Sequence, residues 1–282
     1  MNFKQFIVEE LEVKSVYHLL ISGISPRPIA LVGSLDENGI SNLAPFSFFN
    51  AFGANPPIIG FSPAISGRTG LPKDTLLNIK DTKEFTVSIV NSSIVEQISL
   101  SSCEFDKDID EFVKTGLTKY KSNNISAYGV KESNFIMECK LYDIVELGGK
   151  PASGNLILGE VVRFHINKEI LTENNQIDPY KLDPIARNGG SWYTDAKKGL
   201  FELKKPKNIG IGFDQLPDYI LNSSLTGNQL AKLASVEFIP SIKRNDQNAI
   251  NSKKELLKLI KQKIDDNCID EAWQLILYLG TI

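Results

Sequence analysis

Arg68 and Lys73 flank Gly70, and Asp74 and Thr75 follow at once, ahead of Leu76, Leu77 and Ile79. This reads as a loop running into a helix: Asp74 or Thr75 suits the N-cap, and the three apolar residues give the next turns one buried side. N–H groups at a helix start lack intrahelical partners, the helix dipole favours negative charge there, and two cations add charge-assisted hydrogen bonds. A phosphate monoester fits such a place. The same residues also read as surface cations beside a plain cap, and by themselves that is the commoner arrangement. Upstream, the stretch 42–50 sets Phe46, Phe48 and Phe49 around Ser47. Flat aromatic surface beside an anion cradle suits a phosphorylated, planar cofactor.

The elements that would position these residues are mostly strands. Residues 28–35 are apolar and β-prone, and 36–39 carry turn residues, with Gly39 free to take a positive φ, so a hairpin is expected. Pro45 has no N–H for a ladder, which confines the stretch around it to an edge, a strand start or a bulge. An irregular strand there would leave N–H groups free for a ligand. Residues 58–62, behind Pro56 and Pro57, form a short buried strand, 85–90 another, and 93–100 a capped helix. Phe135, Met137, Cys139 and Leu141 alternate with Ile136, Glu138, Lys140 and Tyr142, the period of a half-buried strand. Residues 155–166 form a second long strand with Leu158, Val162, Phe164 and Ile166 on one face, linked to the first through 148–154. Strands at this spacing without alternating helices favour a closed or partly closed antiparallel barrel.

From residue 206 the composition shifts to helix formers, so the domain boundary is set between 205 and 206. Residues 241–252 form a polar connector, and 253–264 an amphipathic helix with Leu256, Leu257, Leu259, Ile260 and Ile264 opposite a Lys-rich side. A last helix covers 270–279. The Lys-rich side reads as a solvated face.

Several function classes are disfavoured. The chain has 282 residues and a formal net charge of -3, which gives no long-range attraction for nucleic acid or an anionic membrane. Its 3 cysteines, Cys103, Cys139 and Cys268, lack a Cys-x-x-Cys spacing and read as reduced thiols of a cytoplasmic protein, Cys139 in a strand core. The N-terminus has no signal-peptide pattern, and no apolar run is long enough to span a bilayer. Gly210-Ile211-Gly212 lacks the third glycine of a dinucleotide fingerprint, and no Gly-x-Ser-x-Gly elbow exists. His18 and His165 have no neighbours at metal-ligand spacing and read as surface or satisfied strand residues.

Pro26-Arg27-Pro28-Ile29-Ala30-Leu31-Val32, Asn42-Leu43-Ala44-Pro45-Phe46-Ser47, Phe49-Asn50, Pro56-Pro57, Lys73-Asp74-Thr75 and Glu84-Phe85-Thr86-Val87-Ser88 occur in this order. So do Glu104-Phe105-Asp106, Thr115-Gly116-Leu117-Thr118, Glu138-Cys139-Lys140-Leu141, Arg187-Asn188-Gly189-Gly190 with Tyr193, and Gly210-Ile211-Gly212-Phe213-Asp214-Gln215-Leu216-Pro217. Together they resemble the flavin reductase-like, FMN-binding split-barrel family, most of all its flavoredoxin-like branch. The resemblance covers most of residues 22–240. It implies a mainly β fold: an antiparallel, Greek-key type split barrel over residues 1–205, with peripheral helices and a helical extension over 206–282 packing on the barrel or a dimer interface.

It also implies FMN as cofactor. Ser47, Ser62, Arg68, Lys73 and Thr75, with Asp74 at the helix start, would hold the phosphate and ribityl chain. Pro28, Ile29, Phe48 and Phe49 would wall the isoalloxazine, although adjacent strand residues point to opposite faces, so at least one of these phenylalanines is expected in the core. Arg187, Gly189, Gly190 and Tyr193 would approach the ring from a second region or a second subunit, and a homodimer is implied. No catalytic acid or base is needed, because a flavin brings its own electron sink. Two readings follow: an oxidoreductase passing hydride from NADH or NADPH to FMN, or an electron carrier of the flavoredoxin kind that holds FMN and is fed by a redox partner protein. A split barrel that binds no flavin is the bland third.

Overall fold

The computed structural model describes residues 2–203, 209–241 and 252–281. The expected start of the extension at 206 and most of the connector at 241–252 lie outside them. Contacts divide the chain into two units, Met1–Leu200 and Phe201–Ile282, and each is described by itself.

The strands of the first unit are β1 (Arg27–Pro28), β2 (Ala30–Leu35), β3 (Ser41–Phe46), β4 (Phe49–Ala54), β5 (Pro57–Phe61) and β6 (Glu84–Ile89). They continue as β7 (Lys119–Tyr120), β8 (Gly129–Val130), β9 (Phe135–Glu146), β10 (Asn155–Ile166), β11 (Ile185–Arg187) and β12 (Tyr193–Asp195). Its helices are α1 (Val13–Gly23), α2 (Asp74–Thr82), α3 (Val95–Leu100), α4 (Glu111–Thr115) and α5 (Pro179–Leu182). Seven strands form one antiparallel sheet in the order β3-β2-β6-β9-β10-β5-β4, and β1-β11-β12 form a second.

The two edges of the large sheet, β3 and β4, are consecutive in sequence and joined only by Ser47 and Phe48. A flat sheet of this width would hold its edges ~29 Å apart at a strand spacing of ~4.8 Å. The chain from Phe46 to Phe49 reaches roughly 11 Å at most. The sheet therefore curls until its edges approach at this corner, yet β3 and β4 do not pair, so the barrel stays open along one seam. The Phe46 ring lies 5.2 Å from that of Phe61, and Phe61 lies 5.5 Å from Phe85. These aromatic contacts fill the interior between strands from both halves of the sheet.

Pro45 is tolerated because β3 is an edge strand. The β2–β3 register is regular, with Leu31 opposite Pro45, and the irregularity expected near it falls instead between Ala51 and Gly53 of β4. Gly39 takes φ +82 in the β2–β3 turn, and the Asp36 carboxylate accepts from the N–H of Asn38 and of Ile40.

The long hairpin β9–β10 forms at the expected residues, but its inward face corrects the sequence reading. Ile157, Gly159 and Val161 point into the barrel and Leu158 away from it, but a bulge between Val161 and Arg163 then sets Phe164 and Ile166 opposite Met137 and Phe135 of β9, and Arg163 and His165 opposite Glu138 and Ile136, so Leu158, Val162, Phe164 and Ile166 do not share one face. Gly159 hides the inward period, since a Cβ there would lie 2.3 Å from Phe85 Cζ. The outer face of β9 is covered over its first half, at Ile136 and Glu138, while Lys140 and Tyr142 are exposed. Gly129 of β8 packs on Ile136, and the loop before it binds Glu138, so both residues are buried.

In the second unit, α6 (Asp218–Leu221), α7 (Gly227–Ala234), α8 (Lys253–Asp265) and α9 (Ile269–Leu279) have a core of their own. Trp273 is fully buried among Leu256, Ile260 and Ile264, and its indole N–H donates to the Leu233 carbonyl at 3.2 Å. A capping box between Thr226 and Gln229 starts α7. Among the described residues no helix is long and apolar enough to cross a membrane.

Phe85→Ala removes the ring around which Phe61 and Gly159 are arranged. It is expected to lower the stability of the barrel unit by about 3–5 kcal/mol, read as a drop in denaturant midpoint with an unchanged slope.

Candidate functional site

Ser47 and Phe48 form the corner where the barrel edges meet, and Arg27 reaches it from β1. Its Nε donates to Ser47 Oγ at 3.3 Å, and the guanidinium lies 6.0 Å from the Phe48 ring centre. Nη1 donates to the carbonyls of Ile21 and Ile24 and Nη2 to that of Asn188. Arg27 is 5% exposed and takes part in no ion pair among the described residues. Burial pushes its pKa down, and Arg187, its cross-strand partner in β11, pushes in the same direction. Phe48 is 39% exposed beside this buried charge. Phe49 turns inward to the barrel core, and Ile29 joins a second core cluster with Leu31 and Leu43. The alternation of strand side chains thus leaves Phe48 and the exposed Pro28 as the available aromatic and apolar surface.

After β5 the chain passes Ser62, whose N–H donates to the Phe48 carbonyl at 2.9 Å. Its hydroxyl is buried without a hydrogen-bond partner, as among the described residues are only Ser41 Oγ and Asp195 Oδ1. An unpaired buried hydroxyl costs roughly 1–3 kcal/mol, so Ser62 has capacity for an outside partner. The loop at 66–71 is tied by Ser66, whose Oγ accepts from the N–H of Arg68 and Thr69. Arg68 and Lys73 both converge on Glu104: Arg68 is directly paired with its carboxylate, and Lys73 Nζ lies 4.0 Å from its other oxygen. Glu104, half exposed, stands where two cations meet beside a helix start.

That helix, α2, begins at Asp74. Its N-cap is Lys73, with no side-chain cap, which corrects the expectation that Asp74 or Thr75 caps it. The starting N–H groups are consequently not consumed by a side chain. Thr75 is 1% exposed, and its hydroxyl donates to Asn42 Oδ1 at 2.8 Å. Asn42 Nδ2 in turn donates to Glu111 Oε1 at 3.0 Å, and the Leu43 N–H to Glu111 Oε2 at 3.0 Å. The chain Thr75–Asn42–Glu111 therefore fixes the start of α2 against β3. Burial raises the Glu111 pKa above the ordinary carboxylate range despite these donors.

The third group lies on the small sheet. Arg187 stacks 4.4 Å over the Tyr193 ring, and its Nη2 donates to the Gly190 carbonyl at 2.8 Å. Gly190 takes φ +59, and a Cβ on Gly189 would lie 2.4 Å from Ser22 Oγ of α1. Both glycines are required by the backbone. Sequence reasoning missed Arg27, Asn42, Glu104 and Glu111. Arg27 and Glu104 belonged to quoted motifs, but nothing in their spacing shows that one is buried and the other sits between two cations.

The family profile described as flavin reductase like domain matches residues 22–181. An uncharacterized protein of Aquifex aeolicus (strain VF5) is 36% identical over 192 residues, 68% of this chain and 95% of that protein. Nitrilotriacetate monooxygenase component B from Bacillus cereus superposes with a TM-score of 0.67 at 34% identity, covering 73% of this chain and 99% of that one. A flavin reductase-type protein with a split barrel domain from Shewanella frigidimarina NCIMB 400 gives 0.62 at 30% identity, covering 73% and 99%. The open barrel derived above is thus a split barrel.

Glu104→Gln removes the carboxylate that competes for Arg68 and Lys73. It is expected to tighten binding of inorganic phosphate in calorimetric titration, and an unchanged affinity would show that Glu104 does not compete. Glu111 supplies a pH test. With its folded pKa raised, the native state keeps a proton that the unfolded chain has lost, so its contribution to stability declines as pH rises from the ordinary carboxylate range through the raised value. The melting temperature of the wild type, taken relative to Glu111→Gln, should fall across that window.

Proposed function

The chain belongs to the flavin reductase-like family, and on that premise we propose that it binds FMN and transfers hydride from NADH or NADPH to it. The observation that carries the reading is the convergence of Arg68 and Lys73 on one carboxylate beside the uncapped start of α2. Two cations, free helix N–H groups and the orphan Ser62 hydroxyl match the needs of a phosphate and the chain attached to it.

In this reading Arg68, Lys73 and the α2 start hold the phosphate, with Asp74 and Thr75 fixing the backbone there, and Ser62 and Ser47 bond the ribityl region. Pro28 and Phe48 flank the ring, while Ile29 and Phe49 support that wall from the core behind it. Arg187, Gly189, Gly190 and Tyr193 close the second side. FMN, when bound, supplies the electrophilic ring nitrogen and the electron sink, so the protein binds, orients and excludes water. A homodimer is part of the proposal. It is supported by exposed apolar residues along the N-terminal segment and α1, including Phe3, Val13, Leu20 and Ile24, and by Phe52 on the edge strand β4.

The test is flavin titration with steady-state NADH and NADPH oxidation. Arg68→Ala with Lys73→Ala is expected to weaken FMN at least about tenfold; unchanged affinity would displace the phosphate site. Protein that keeps FMN through dialysis yet fails to oxidise either dinucleotide with excess FMN would replace the reductase by an electron carrier fed by a partner protein.

A further inference from the structure

His165, on β10, is part of a buried polar chain that no flavin role uses. Its Nε2 lies 2.5 Å from Glu138 Oε1, and Tyr120 OH lies 3.3 Å from its Nδ1. Glu138 is fully buried, and its two oxygens also accept from the N–H groups of Asn123 and Asn124, each at 2.7 Å. In the neutral imidazole with Nε2 carrying the hydrogen given to Glu138, Nδ1 is the acceptor facing Tyr120. The 3.3 Å contact is long for a hydroxyl donor, so the phenol O–H remains free to turn to a better acceptor.

Tyr120 and His165 line one cavity of about 370 Å³, whose walls include Lys131 and the apolar Ile136, Phe164 and Ile166. This volume lies in the range of small-molecule sites. Lys131 belongs to none of the ion pairs among the described residues. Two other polar lining residues are engaged, Ser133 Oγ donating to the Ile89 carbonyl and Asn167 Nδ2 to Asn134. What the cavity offers a ligand is one ammonium, one phenol whose hydrogen can turn from the imidazole, and an apolar wall at Ile136. A phosphate would need more donors than this, whereas a single carboxylate on a flat apolar body matches the set.

We propose that this cavity is a second binding site, distinct in its residues from the flavin site, for a small carboxylic acid with a planar apolar body. The carboxylate lies between Lys131 and Tyr120, whose phenol turns its one hydrogen from His165 Nδ1 to the ligand, and Ile136 lies against the body. Neither Tyr120 nor Lys131 belongs to the proposed FMN machinery, so the site stands or falls independently of it.

The experiment is calorimetric titration of benzoate and of neutral benzamide into the full chain, with and without saturating FMN. Benzoate should bind saturably in both conditions, and benzamide at least about fivefold more weakly. Lys131→Ala should weaken benzoate about tenfold, Lys131→Arg should restore most of the affinity, and Tyr120→Phe should cost about threefold, all with unaltered melting temperature. Absence of saturable benzoate binding, or equal binding by wild type and Lys131→Ala, overturns the proposal. So does rescue failure in a folded Lys131→Arg protein, because a purely structural role for the Tyr120–His165–Glu138 chain would be indifferent to the charge at position 131.

Discussion

The rest of the barrel unit depends on a length constraint: Ser47 and Phe48 must span from one edge of a seven-stranded sheet to the other. That short link forces curvature, and curvature creates an interior narrow enough for Phe46, Phe61 and Phe85 to touch across it. The same corner leaves a seam without ladder hydrogen bonds, where backbone groups and the Phe48 ring stay accessible. Arg27, Ser47, Phe48 and Ser62 of the candidate site meet at this corner.

Electrostatics divides the site into two regimes. Arg68, Lys73 and Glu104 are substantially exposed, and an exposed ion pair contributes only about 0–1 kcal/mol. Such a pair exchanges readily for a better anion. Arg27 is the opposite case, a buried guanidinium satisfied by carbonyls and one hydroxyl, where each lost bond would strand a buried acceptor. One set of cations is built to trade partners, and the other to hold backbone in place.

How much of this was legible depends on what each residue's signal reports. The β2–β3 hairpin was readable because Gly39 and Asp36 act locally, and Pro45 correctly signalled an edge. The strand β10 was found at its true limits, yet bulges break the single face expected for Leu158, Val162, Phe164 and Ile166, and Gly159, which yields its volume to Phe85, erases the inward apolar period. Glu138 looked solvent-facing in the alternation of β9, because its partners, His165 and the N–H groups of Asn123 and Asn124, come from elsewhere in the chain. Arg68 and Lys73 carried a local signal, a loop before a helix. Glu104 and Arg27 carried none, since their roles arise from contacts made far along the chain. The Lys253–Asp265 helix was plain from its period, and its buried residues Leu256, Ile260 and Ile264 were among those anticipated.

Arg27 also ties α1 to a segment far along the chain. Helix α1 buries only Ile21, so its attachment rests largely on the bonds from Arg27 to the Ile21 and Ile24 carbonyls. The guanidinium is fully partnered only when the Asn188 carbonyl arrives, 161 positions later. With so little of it buried, α1 would be among the first segments to open in an amide-exchange experiment.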